Sequence, residues 1–179
     1  MISLLAVMES GDGVETATIG REGAVNTMAG LGGRRAAGRA VVQVAGMSSQ
    51  ILASRFQSAA NESPSIRNLI VRYNEAQVSA VYQSVGCNAI HRVEARLCRW
   101  LLQTRDRTPS DTLPLTQEFL SEMLGVQRTT VTLLARQLQD AGLIRYRHGR
   151  VEIVDRRGIE QKACECYSTV RSQMERVFS

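Results

Sequence analysis

Read for its alternation of apolar and polar positions, the chain divides into an N-terminal stretch of period two and a longer remainder of helical period. Within residues 2 to 47, ISLLAVM, VETATIG and RAVVQVAGM are short β-rich runs; in the second, Val14, Thr16 and Thr18 alternate with Glu15 and Ala17. The segment before the third run carries Gly20, Gly23, Gly30, Gly32, Gly33 and Gly38, which predicts a loop-rich turn region. Ser48 or Ser49 is placed to cap a short helix over SQILASRFQSA, with Ile51, Leu52, Ala53 and Phe56 on its buried side.

NESPS supplies the next boundary, with Ser63 as N-cap and Pro64 at the first helical position. From there Ile66, Leu69, Ile70, Tyr73, Ala76, Ala80, Val81 and Val85 recur at helical spacing. They predict a helix over about 64–88 that ends at a hinge, Gly86-Cys87-Asn88. A stripe of that length needs a partner. It packs either on its own sheet or on the same helix of a second chain. The second reading is preferred, because a long helix between two modules has few other surfaces to cover it. Ile66, Leu69, Ile70, Tyr73, Ala80 and Val81 are then the expected dimer contacts.

The next helix, HRVEARLCRWLLQTRD, buries Val93, Ala95, Leu97, Trp100 and Leu101 and ends before the loop RTPSDTLP. In LTQEFLSEMLGVQRTTVTLLARQLQDAGLI two amphipathic runs are joined at Gly125-Val126. With Thr116 as cap, Leu120 and Leu124 lie one turn apart on an inner face, and small Ser121 lets another helix come close. Gly125 ends the first helix cheaply in a left-handed conformation. The second begins near Gln127 and turns Val131, Leu134 and Leu138 inward. This is helix-turn-helix spacing, although two core helices of an unrelated bundle would also produce it. What the second helix leaves outside is Gln127, Arg128, Thr129, Thr132 and Arg136, with Leu133 partly so. Arginine near the start of a helix in the major groove can bridge O6 and N7 of guanine, glutamine suits adenine, and threonine suits phosphate or a thymine methyl. Thr116 and Gln117, at the start of the first helix, are placed to meet backbone phosphate.

LIRYRHGRVEIVD then reads as a β-hairpin turning at His148-Gly149, with Ile144, Tyr146, Val151 and Ile153 inward and Arg145, Arg147 and Arg150 outward. Helix, turn, helix and hairpin make a winged helix, with Arg147 and Arg150 as phosphate contacts on its wing. Asp155 caps one final helix carrying Ile159, Ala163, Tyr167, Val170, Met174 and Val177.

Charge sharpens this picture. The net charge is +5, carried by arginine except for Lys162. Residues 1–90 hold seven arginines against six acids, whereas residues 91–179 hold fifteen basic residues against eleven. The excess is densest over 127–157, which points either to a polyanionic partner or to a solvated arginine face. No apolar run reaches the roughly 18 residues of a membrane span, and the N-terminus has neither a basic leader nor a cleavage pattern, so a cytoplasmic protein without a membrane partner is expected. Cys87, Cys98, Cys164 and Cys166 form no CxxC pair. Cys164 and Cys166, two apart in an expected continuous helix, point away from each other. They read as small buried hydrophobes, and neither a metal nor another cofactor is expected. Convergent carboxylates, a Ser-His-Asp set and a phosphate loop are all missing from the pattern, so an enzyme is not expected.

Taken with these motifs, LPLTQEFLSEMLGVQRTTVTLLARQLQDAGLIRYRHGRVEIVD, the preceding HRVEARLCRWLL and the long SPSIRNLIVRYNEAQVSAVYQ helix resemble the Crp/Fnr family of bacterial transcription regulators. The resemblance covers nearly the whole chain from residue 2. It implies an α+β fold: a partial β-roll sensor of cyclic-nucleotide-binding type, a dimerisation helix, and a winged helix-turn-helix. The expected division is 1–90 for sensor remnant and dimerisation helix and 91–179 for the DNA-binding domain. It further implies a homodimer on double-stranded DNA, on a palindromic operator with half-sites about 34 Å apart, and contact with RNA polymerase. The alternative is a ligand-sensing, RNA-binding or non-specific nucleic-acid-binding module without operator specificity.

The departures from the family pattern matter. The recognition helix starts Arg128-Thr129-Thr130-Val131 where the family often has R-E-T-V, so the acidic base contact is lost. Gly20-Arg21-Glu22-Gly23 and Arg34-Arg35-Ala36-Ala37 lack the hydroxyl partner of the family's cyclic-nucleotide site, which makes a plain glycine-rich turn the expected reading. The early strands of the β-roll are missing, which predicts unpaired strand edges near residues 2–19 and leaves Met1 either a misassigned start or the start of a shortened regulator. The cysteines that hold an iron-sulfur centre in some relatives belong to that missing region.

Overall fold

The computed structural model describes residues 1–178. Three strands, β1 (Ile2–Val7), β2 (Gly13–Ile19) and β3 (Arg39–Val42), form an antiparallel sheet in the order β2-β1-β3. β1 is therefore paired on both sides, through Ile2↔Ile19 and Ile2↔Val42 among others. The open edge expected near residues 2–19 therefore falls on β2, and the other open edge of the sheet is that of β3. The third strand stops at Val42, short of the apolar run that predicted it.

Helix α1 (Ala53–Glu62) starts later than serine capping suggested, and Leu52 is its N-cap. Ile51, Leu52 and Ala53 are exposed, which corrects that part of the expected inner face, while Phe56 is half-buried beside Gly30 and Ala60 is the buried residue. Helix α2 runs Pro64–Ile90. Ser63 Oγ accepts from the Ile66 amide at 3.4 Å, as expected of the cap. No break occurs at Gly86; the helix continues to a C-cap at His91, which moves the hinge to the His91-Arg92 step.

Two faces of α2 have different fates. Ile70, Tyr73, Ala76, Ala80, Ser84 and Cys87 are buried, the first of them beside Gly30, where only a hydrogen leaves room for its Cδ1. Tyr73 is fixed at both ends: its hydroxyl bonds the amide and carbonyl of Ala24 at 3.0 and 3.1 Å, and its ring packs with Ala76, Met174 and Val177. The opposite face leaves Val71, Val78, Tyr82 and Val85 in water.

Helix α3 (Val93–Asp106) is the axis of the core. Leu97, Cys98, Trp100, Leu101 and Leu102 are all at most 1% exposed. They gather α4 (Gln117–Leu124), α5 (Arg128–Asp140) and the small sheet around them. That sheet runs β4-β6-β5, with β5 (Ile144–Arg147), β6 (Arg150–Ile153) and an added strand, β4 (Thr112–Pro114), where a loop was expected. Leu113 and Leu115 flank Pro114 and are fully buried, which is why this stretch pairs with β6 rather than arching into solvent. Leu5 of β1 belongs to the same core, so the apolar interior crosses the expected boundary at residue 90. The final helix is two: α6 (Arg156–Lys162) and α7 (Cys166–Glu175), separated by an extended Ala163. Asp155 Oδ1 caps the first by accepting from the Gly158 amide at 3.0 Å.

Candidate nucleic-acid interface

The local geometry of the helix-turn-helix follows from its sequence. Thr116 Oγ1 accepts from the Phe119 amide at 3.2 Å and starts α4. Gly125 ends it at φ +63, where its amide and that of Val126 bond the carbonyls of Glu122 and Ser121. A side chain there would find only ordinary contact with Val14, so it is the backbone conformation that calls for glycine. Leu120, Leu124, Val131 and Leu138 are buried, and Leu134 is partly so. Phe119 meets Trp100 edge to face, with centroids 6.0 Å apart, which seats α4 on α3.

One polar residue completes the seat. Arg96 is buried on α3, and its Nη2 donates to the carbonyl of Leu124 in the last turn of α4. A guanidinium at the negative end of a helix satisfies an orphan carbonyl and the helix dipole together. The signal was present in ARLCRWLL, where arginines interrupt a helix that is otherwise apolar all round, yet a reading by apolar stripe alone passes over them.

Helix α5 presents Gln127, Arg128, Thr129, Thr132, Leu133 and Arg136 to solvent. Gln127 is the N-cap but its side chain bonds nothing in the first turn, which leaves that turn's amides facing outward. Thr132 Oγ1 bonds Gln117 Oε1 at 2.9 Å, joining the exposed faces of the two helices. Gln117 is half-buried as a result, while Thr116 beside it is exposed. Arg136 reaches Asp140 only at 3.9 Å, with both side chains mostly in water.

The wing stands next to these helices. His148 and Gly149 turn it with φ of 49 and 71, the doubly positive pair of a tight two-residue hairpin. Its tip approaches Thr116, whose Cγ2 would lie 3.3 Å from a side chain at Gly149. Tyr146 donates its hydroxyl to the Leu115 carbonyl at 3.2 Å; burial pushes the pKa of that hydroxyl up, and the nearby positive charge of Arg128 opposes the shift. Helices α4 and α5 and the wing therefore share one surface.

The structure also sorts the arginines of this region. Arg145 pairs with Glu152 at 2.6 Å. Arg156 turns away to Asp106 and Glu160, both at 2.8 Å. Among the described residues no acid pairs with Arg128, Arg147 or Arg150, and the last two face each other across the hairpin. Like charges directly opposite on a ladder repel. They make a cationic tip that an anion would relieve.

In the N-terminal half, Glu22 of the glycine-rich turn is bound by Arg107 at 2.7 Å, and Arg34 and Arg35 are exposed. Of the residues expected at a dimer seam, Ile70, Tyr73 and Ala80 pack within the chain, Val81 is half-buried, and Ile66 and Leu69 are exposed. The cysteines depart furthest from expectation: because the chain breaks between α6 and α7, Cys164 and Cys166 both point toward Cys87 and His91.

Residues 95–162 match the Crp-like helix-turn-helix domain model. Curated proteins contain no significant sequence match to the chain. Among solved structures it is similar to a CRP/FNR-family transcriptional regulator from Thermus thermophilus, with 20% identity, TM-score 0.65, and coverage of 90% of this chain and 82% of that one. It is also similar to FixK2 from Bradyrhizobium japonicum, with 12% identity, TM-score 0.66, and coverage of 91% and 83%. No helix among the described residues is long and apolar enough to cross a membrane. The chain thus carries a Crp-like helix-turn-helix domain within the fold of the Crp/Fnr transcriptional regulators.

Proposed function

We propose that the protein is a sequence-specific regulator that binds double-stranded DNA as a homodimer and reads the major groove with α5. The observation that carries this reading is the single surface formed by Gln127, Arg128, Thr129 and Thr132, flanked by Arg147 and Arg150, which have no acidic partner among the described residues. Arg128 supplies base readout, with Gln127 and Thr129 beside it. Thr116, Gln117 and Arg136 line the backbone on either side, and the wing arginines neutralise phosphate. The partner of each chain is a second copy, joined through the exposed face of α2. Val71, Val78, Tyr82 and Val85 repeat at heptad spacing along that face, and the pairing would present two recognition helices to a palindromic site.

Selection of bound duplexes from random DNA tests the proposal. An enriched two-fold symmetric motif, lost in Arg128→Ala, is expected. Salt-sensitive binding without enrichment would instead identify a non-specific nucleic-acid binder.

A further inference from the structure

Cys87 and His91 lie one helical turn apart at the end of α2 and share a face of it. Cys164 comes from the segment that links α6 to α7, and Cys166 is the first residue of α7. Had that segment been helical, residues two apart would have diverged. Ala163 is extended instead, and α7 restarts at Cys166, so both sulfurs turn to the same point. Cys87 Sγ lies 3.5 Å from Cys164 Sγ, and Cys166 Sγ lies 3.5 Å from His91 Nδ1. All four ligand atoms fall within 4.8 Å of one another.

We propose that Cys87, His91, Cys164 and Cys166 form a closed tetrahedral site for one zinc-class divalent cation. Four donors around a Zn²⁺ ion with bonds of about 2.0–2.3 Å must sit roughly 3.5–3.8 Å apart, and the Cys87–Cys164 and Cys166–His91 pairs are already at 3.5 Å. A cubane iron-sulfur cluster asks for a wider spread, since each cysteine must reach a different iron. Three thiolates and an imidazole are a structural zinc set, in which the protein fills every position and leaves none for substrate.

The surroundings agree with a ligated state. His91 turns Nδ1 to the sulfurs while Nε2 pairs with Glu165 Oε1 at 3.1 Å, the outer carboxylate that orients a ligating histidine. Gln83 Nε2 donates to Cys166 Sγ at 2.9 Å. The positive charge of buried Arg99 acts on Cys87 and offsets the excess negative charge of three thiolates on a divalent ion. The three cysteines are buried, as a structural site requires. Cys98 is buried too, but it is absent from the group.

Position gives the site its consequence. Cys87 and His91 lie at the end of α2, beside the hinge into α3, while Cys164 lies in the link before α7 and Cys166 is its first residue. One ion would bolt these elements together and set the angle between α2 and the helix-turn-helix.

Elemental analysis of the full chain, purified under reducing and anaerobic conditions, should find one zinc per chain. Co²⁺ in its place should give the intense visible bands of a tetrahedral thiolate complex. Cys87→Ser and Cys166→Ser should lose the metal, and Cys98→Ala should keep it. Because a ligand variant can fail to fold, Glu165→Gln is the second arm: it should keep the fold and the stoichiometry but weaken zinc by about 10–100-fold in competition with a chelator. A folded chain that takes up neither Zn²⁺ nor Co²⁺ overturns the proposal. So does iron with labile sulfide in place of a single ion, or a Cys87–Cys164 disulfide formed without metal.

Discussion

Trp100 Nε1, in the core of the winged helix, donates a 2.8 Å hydrogen bond to Oε1 of Glu15 on β2 of the N-terminal sheet. Ser3 and Gln43 donate to the other carboxylate oxygen. The carboxylate is thus held by three donors in a fully buried place, and it ties the two parts of the chain together. Burial is the larger influence and pushes its pKa up, against the donors and the charge of Arg99.

That shift has a definite sign in stability. A carboxyl whose pKa rises on folding binds its proton more tightly in the folded chain. The contribution of Glu15 to stability is therefore fully present below the ordinary value of 4.5 and is lost as pH climbs from there through the raised value. Glu15→Gln keeps an acceptor for Trp100 and removes the titration. Urea unfolding at a series of pH values should show the wild type losing stability relative to Glu15→Gln across that window. Parallel curves would mean that Glu15 is not buried as a carboxyl.

Arg128 and the wing arginines should fail differently. Arg128→Ala is expected to cost about 1–3 kcal/mol of discrimination at one base pair of the selected site. Arg147→Ala and Arg150→Ala should weaken every sequence about equally, each lowering the salt slope of binding by about one. Competition binding at several salt concentrations separates the two, and a sequence-specific loss at Arg147 would reverse the assignment.

Gly125→Ala should destabilise the fold by about 1–2 kcal/mol, the cost of a left-handed alanine. No clash contributes, since the nearest atom to the added carbon is Val14 Cγ2 at 3.4 Å. Gly125→Asn should cost less, because asparagine tolerates that conformation. Thermal denaturation of the two variants decides it; equal losses would point to sterics instead.

The two faces of α2 predict two phenotypes. Ile70→Ala empties packed space within one chain and should lower its stability by about 2–5 kcal/mol. Val78→Asp should leave the fold intact and weaken the proposed dimer. Losing about 1.5 kcal/mol of apolar burial from each chain corresponds to about a hundredfold in Kd. Sedimentation at graded concentrations reads this directly, and an unchanged dimer would place the seam elsewhere.

Local signals carried much of this protein. The caps at Ser63, Thr116 and Asp155, the left-handed glycine at 125 and the His148-Gly149 turn are each decided within a few residues by backbone geometry and hydrogen bonding, so the sequence by itself determined the helix-turn-helix, its wing and the outward face of α5. Periodicity also announced that α2 had apolar faces to cover. Only the tertiary structure decided which of its residues went to which face, because an intrachain core and a dimer seam have the same helical period. It likewise decided that Arg96 caps α4, that Glu15 meets Trp100 across 85 positions, and that four ligand-bearing residues from two distant segments converge. Such contacts depend on where packed elements come to rest, and a single extended residue, Ala163, was enough to turn two diverging cysteines toward one point.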